Sequence, residues 1–153
     1  MKQRKSNGLA VVATLVLGML VIPPASFAQA PDPRLSPAVP QGGGFTSRPL
    51  LIAPVTGDDS KEFALIAVTL APGASSPMHT HPGDCVGAVI EGDLDLVVDG
   101  QGAKSVKAGE GFHNARGLVH QFRNAGDKPV RLVTTIFYDK GQPRVQPLPA
   151  PQK

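Results

Sequence analysis

Tryptophan is absent from these 153 residues, and cysteine and tyrosine occur once each, as Cys85 and Tyr138. One cysteine cannot close an internal disulfide, so no disulfide framework holds the chain together. The length is about that of one domain, which excludes a multidomain enzyme. No long stretch carries apolar residues at the helical period, and no internal repeat, phosphate-binding loop or serine–histidine–acid pattern occurs. A basic surface is missing too. Three of the 15 Lys and Arg residues (Lys2, Arg4 and Lys5) lie within residues 1–28, which hold none of the 12 Asp and Glu, so the remainder is formally neutral. It offers no electrostatic footprint for nucleic acid.

Residues 1–28 follow the three-part pattern of a secretory signal peptide. A positive start leads into an uncharged, mostly apolar run from Gly8 to Ile22, and Pro23 and Pro24 end it. Ser26-Phe27-Ala28 then places small residues at a cleavage site. Cleavage is expected after Ala28, because a cut after Ala30 leaves Pro31 directly behind it. The apolar run is short for a bilayer span of about 20 residues. No cysteine lies near the cut for lipid attachment, and no later stretch is long enough to span. The expectation is a periplasmic or secreted protein, free of the membrane after cleavage.

Residues 29–49 hold Pro31, Pro33, Pro37, Pro40 and Pro49 and the run Gly42-Gly43-Gly44, and read as a flexible lead-in. Residues 141–153, with Pro143, Pro147, Pro149 and Pro151, read as a flexible tail. The compact part is then 50–140, enough for one modest core. Within it, short β-type runs alternate with turn residues. Strands are expected at Leu50–Thr56, Glu62–Leu70, Cys85–Glu91, Asp93–Val98, Ala103–Lys107, Leu118–Asn124 and Val130–Tyr138, with a hairpin turn at Asp99-Gly100. This spacing predicts an all-β antiparallel sandwich or barrel.

The four histidines are His79, His81, His113 and His120. His79 and His81 are two apart, so an extended strand turns both to one face, and neutral imidazole is a common metal ligand. Their surroundings have fixed spacings. Gly73 is followed by five residues, His79-x-His81, three residues, Cys85, six residues and Gly92. After 16 more come Gly109, five residues, Ala115-x-Gly117, two residues, His120, three residues and Asn124. This pair of motifs, from Gly73 to Asn124, resembles the two motifs of the cupin family. The resemblance implies a small jelly-roll barrel and a divalent transition metal (zinc, copper, iron or manganese) held by His79, His81 and His120. Two positions depart from it: Ala115 stands at the usual Pro and Cys85 at the usual Glu.

Cys85 has three readings: a fourth, thiolate ligand; a neighbour of a three-histidine centre that keeps open positions; or a small buried hydrophobe. The second has a parallel in thiol dioxygenases, cupins that lack the Glu and in some of which a cysteine near the metal is cross-linked to a tyrosine; here that pair is Cys85 and Tyr138. Asp84 is one position early for a carboxylate ligand, and Glu91 reads as a turn residue. His113 is the candidate acid or base at the mouth of the site. Phe122 shares the parity of His120 and is expected inside, with Gln121 and Arg123 outside. Arg116 and Arg123 read as surface charges and Asn124 as a turn residue.

Two function classes follow. One is a small dioxygenase or metal-assisted isomerase or lyase acting on a small molecule. The other is a module that binds a small molecule or metal without turnover. A second copy of the chain is a candidate partner, through an edge strand such as Leu50–Thr56.

Overall fold

The computed structural model describes residues 39–40 and 43–148, so the expected signal peptide and its cut after Ala28 lie outside the described residues. Eleven strands run in chain order: β1 Val39–Pro40, β2 Phe45–Val55, β3 Asp58–Leu70, β4 His79–Thr80, β5 Cys85–Glu91, β6 Asp93–Val98, β7 Gly102–Lys107, β8 Gly111–Asn114, β9 His120–Arg123, β10 Val130–Asp139 and β11 Gln146–Pro147. There is no helix among the described residues. Every strand pairing is antiparallel. One sheet has the order β1-β2-β3-β10-β5-β8, the other β11-β4-β9-β6-β7.

Alternation along the central strands builds the core. β3 turns Ala64, Ile66, Val68 and Leu70 inward, and β10 does the same with Val130, Leu132 and Ile136. They meet Leu94, Leu96, Val106 and Phe122 from the other sheet in a single apolar cluster. This is a small jelly-roll, the all-β fold that the motif pair implies. Between β6 and β7 the chain turns through Asp99 and Gly100, where φ is +72° at the glycine and the amide of Gln101 donates to Val98 O over 3.0 Å.

β2 begins at Phe45, five residues ahead of the expected start, and runs through Pro49 and Pro54. The β2–β3 register shifts next to both prolines, so the irregularities fall where a residue without an N–H sits. β2 pairs with β3 along its length, while β1 covers its other side only at Thr46 and Ser47, so among the described residues Leu50–Val55 keeps the open edge expected of it. The tail differs more. β11 pairs with β4, Gln146 opposite Thr80 and Pro147 opposite His79, and the amide of Leu148 donates to Met78 O over 3.3 Å. Proline is tolerated here because β11 is the outermost strand of its sheet.

Candidate metal centre

β4 sets His79 beside His120 of β9, and the two are Cα partners. His81 follows directly after β4. The ring centroids are 4.8 Å apart for His79 and His81, 4.4 Å for His79 and His120, and 5.1 Å for His81 and His120. One ring nitrogen from each lies within 4.8 Å of the other two. All three side chains are buried, with Phe122 packed against His79 and His120.

The other nitrogen of each ring is already engaged. Nδ1 of His79 donates to Pro77 O at 2.8 Å, Nδ1 of His81 to Arg144 O at 2.7 Å, and Nδ1 of His120 to Leu118 O at 2.9 Å. A carbonyl only accepts, so the proton sits on Nδ1 and the lone pair is left on Nε2. His120 Nε2 is buried with no hydrogen-bond partner. Burial also pushes all three rings below the ordinary 6.5 of an imidazole, His81 and His120 to about 4. Three neutral imidazoles with fixed tautomers and free Nε2 lone pairs are the donor set a transition metal takes. The orphaned Nε2 of His120 is the observation that a metal accounts for.

A cavity of about 300 Å³ opens onto His79 and His81. Its other walls are mainly apolar, including Phe45, Ile66, Val68 and Ile136, and the tail completes it with Val145 and Pro147. The tail therefore does two things: it closes the cavity, and through Arg144 O it holds the ring of His81. Deleting residues 141–153 is expected to weaken metal binding by about ten- to a hundredfold, the usual cost of losing an outer partner of a ligating histidine. Competition with a chromophoric chelator measures it, and an unchanged affinity would contradict this role for the tail.

The cupin-domain profile matches residues 66–136. Over 88 residues the chain is 35% identical to germin-like protein subfamily 2 member 4 of Arabidopsis thaliana, covering 54% of this chain and 40% of that protein. It is 29% identical over 116 residues to oxalate oxidase GF-3.8 of Triticum aestivum, covering 71% of this chain and 50% of that one. The chain thus spans half or less of the length of these curated relatives. Among solved structures, the polyketide cyclase RemF from Streptomyces resistomycificus superposes with a TM-score of 0.57 at 25% identity, covering 80% of this chain and 86% of that one. The chain belongs to the cupin superfamily.

Within the cupin pattern, Cys85 occupies the Glu position at the start of β5. It is fully buried, and its Sγ lies 3.0 Å from Thr134 Oγ1. The Thr134 hydroxyl gives its proton to Val86 O at 3.1 Å, so the Cys85 S–H is the donor to Oγ1. Burial pushes the thiol up to about 11, and it is protonated at neutral pH. Sγ is not in the group of ligand atoms that the histidines form among the described residues. Tyr138 hydrogen-bonds Arg144 and Glu62, so it and Cys85 are engaged with different partners.

His113 and Asp84 stand on the outside. β8 alternates, turning Phe112 and Asn114 inward and His113 outward. His113 Nε2 is 3.3 Å from Asp84 Oδ2, with both side chains more than half exposed, and neither lines the cavity. Asp84 Oδ1 accepts the backbone N–H of Arg116 at 3.0 Å, and this bond, with His113, holds the carboxyl below its usual range. The pair clips the first motif to the second. Directly before Asp84, Gly83 runs so close to β10 that an added Cβ would sit 1.6 Å from Phe137 O. Phe122 is inside, Arg123 is on the surface with Asp95 at 2.9 Å, and Glu91 is on the surface with Arg131 at 3.4 Å. The inward residue beside Cys85 that sequence reasoning passed over is Asn114. Its signal was its parity with Phe112, just ahead of Ala115-x-Gly117.

The lowered imidazoles give a signed pH dependence for the metal-free protein. In the fold His81 and His120 stay neutral down to about pH 4, whereas unfolded rings take up protons from about 6.5. The unfolded state then binds more protons as pH falls. Stability is expected to be full above about 6.5, to fall between 6.5 and 4, and to lose no more to these groups below that. Denaturant midpoints across this range check it; a midpoint that rises as the pH falls would contradict it.

Proposed function

We propose that this cupin is exported and uses a three-histidine metal centre to oxidise a small molecule that carries an oxygen-donor group. His79, His81 and His120 hold one divalent transition metal through Nε2. Such a metal supplies Lewis acidity and, if redox-active, electron transfer to dioxygen. The observation that carries the reading is the cavity wall: His79 and His81 are the only titratable side chains among the described residues that line it. Isomerase or lyase chemistry is served best by a side-chain proton carrier beside the metal, and His113 faces away. Substrate activation therefore falls to the metal. The chain's own residues exclude water with an apolar wall, fix the three rings through Pro77, Leu118 and Arg144, and admit only a small guest. The signal pattern of residues 1–28 supports export, and the open edge of β2 at Leu50–Val55 supports a homodimer.

The test is dioxygen uptake by the protein loaded separately with manganese, iron, copper and zinc. The panel is small carboxylic acids, with oxalate first because of the wheat relative's name. Uptake with one redox-active metal and none with zinc is expected. Tight binding of metal and acid with no uptake in any form would overturn the oxidative reading and leave a binding module.

A further inference from the structure

Asn114 is 1% exposed, and neither Oδ1 nor Nδ2 of its side chain has a hydrogen-bond partner. The other buried asparagine, Asn124, uses its carboxamide fully: Nδ2 reaches Leu70 O, Ala71 O and Lys128 O, and Oδ1 accepts from the amide of Gly126. A buried amide left unpaired is destabilising and calls for an explanation.

Its place supplies one. Asn114 is the Cα partner of Cys85, which is the partner of Ile136, so the three form one inward row across β8, β5 and β10. Ile136 lines the cavity. The turn after Asn114 is tied to the centre at two points: the amide of Gly117 donates to His81 O at 3.0 Å, and Leu118 O holds Nδ1 of His120. Asn114 thus belongs to the second histidine motif and pairs with the first, beside the position where Cys85 replaces the Glu that the cupin resemblance assigns to the metal. The buried side-chain atoms without partners among the described residues are Asn114 Oδ1, Asn114 Nδ2 and His120 Nε2. They come from two residues at either end of that one turn.

We propose that Asn114 supplies the fourth protein ligand of the centre, through Oδ1, in place of the missing carboxylate. This rests on the metal reading above. Amide oxygen is a recognised metal donor, and Nδ2 then points a hydrogen-bond donor at whatever else the ion binds. The consequence is electrostatic. Three imidazoles and a carboxamide are all neutral, so the ion keeps its full double charge inside an apolar wall. No Lys or Arg is among the described residues that line the cavity. The ion is then the only cation available to an incoming guest, and the site selects a small anion with an oxygen donor, such as a carboxylate.

The test uses cobalt(II) in the full-length protein, its Asn114→Ala and Asn114→Asp variants, and His113→Ala as a control. Metal affinity is read by chelator competition, and the ligand field by visible absorption. Asn114→Ala is expected to bind cobalt about tenfold or more weakly with a shifted visible spectrum. Asn114→Asp, nearly the same size, is expected to bind it more tightly and to bind formate or oxalate about tenfold more weakly, because the ligand set now carries the charge. Affinity and spectrum unchanged in Asn114→Ala would overturn the proposal while the wild type still binds cobalt. A wild type that binds no cobalt would overturn the metal reading as well, so the two failures are distinct.

Discussion

Replacing His120 with alanine is expected to weaken metal binding by about two to three orders of magnitude, with His113→Ala within about twofold of the wild type. The estimate divides the binding free energy of a four-ligand protein site, about 10–16 kcal/mol, among its ligands, at about 1.4 kcal/mol per tenfold. The contrast follows from placement. His120 is fully buried, its Nδ1 is fixed by Leu118 O, and its Nε2 has no partner. His113 is on the outer side of β8 with Asp84. The fold does not depend on the lost ring as it does on the apolar cluster, so the variant protein should remain folded by circular dichroism. Chelator competition on both variants is the check, and an equal loss in the two would contradict the assignment.

A second large effect is expected on stability alone. Asn124→Ala removes the two N–H donors of Nδ2, which Leu70 O (3.2 Å), Ala71 O (3.1 Å) and Lys128 O (2.8 Å) share, and one acceptance from the amide of Gly126 (3.0 Å). Asn124 is 1% exposed, and its backbone also pairs with Gly73 and Ala74. The side chain therefore pins the ends of β3 and β9 and the turn into β10. Stranding these groups costs about 3 kcal/mol, or roughly 10–20 °C in Tm for a domain of this size. Thermal unfolding of the metal-free protein measures it. Metal affinity below the transition should hardly change, which separates this motif residue from the histidines.

How much of this was readable in the chain depends on what each element rests on. β5 and β6 fall on the expected residues, and β3 and β10 end within a few of them, because alternation and Gly or Pro punctuation are local signals. The start of β2 was hidden by Pro49, whose cost is absorbed by a register shift that only the paired strand reveals. β4 and β11 have two residues each, too few for any period. The three histidines were legible because their spacing to glycines is fixed by turns. The tail was not, since the bond from His81 to Arg144 O joins residues 63 apart and no local pattern encodes it. Asn114 was lost for the opposite reason: a polar residue before a turn reads as part of the turn. His113 was legible as a titratable residue near the motif, but the alternation of β8 turns it away from the cavity.

The central claim is that three imidazoles hold one metal. Its most direct test is elemental analysis of the purified protein beside the His79→Ala/His81→Ala double variant, after identical loading and removal of free metal. About one transition metal per wild-type chain and none in the variant is the expected result. An equal metal content in the two proteins, or none in either after loading with zinc, copper, iron and manganese, would contradict it.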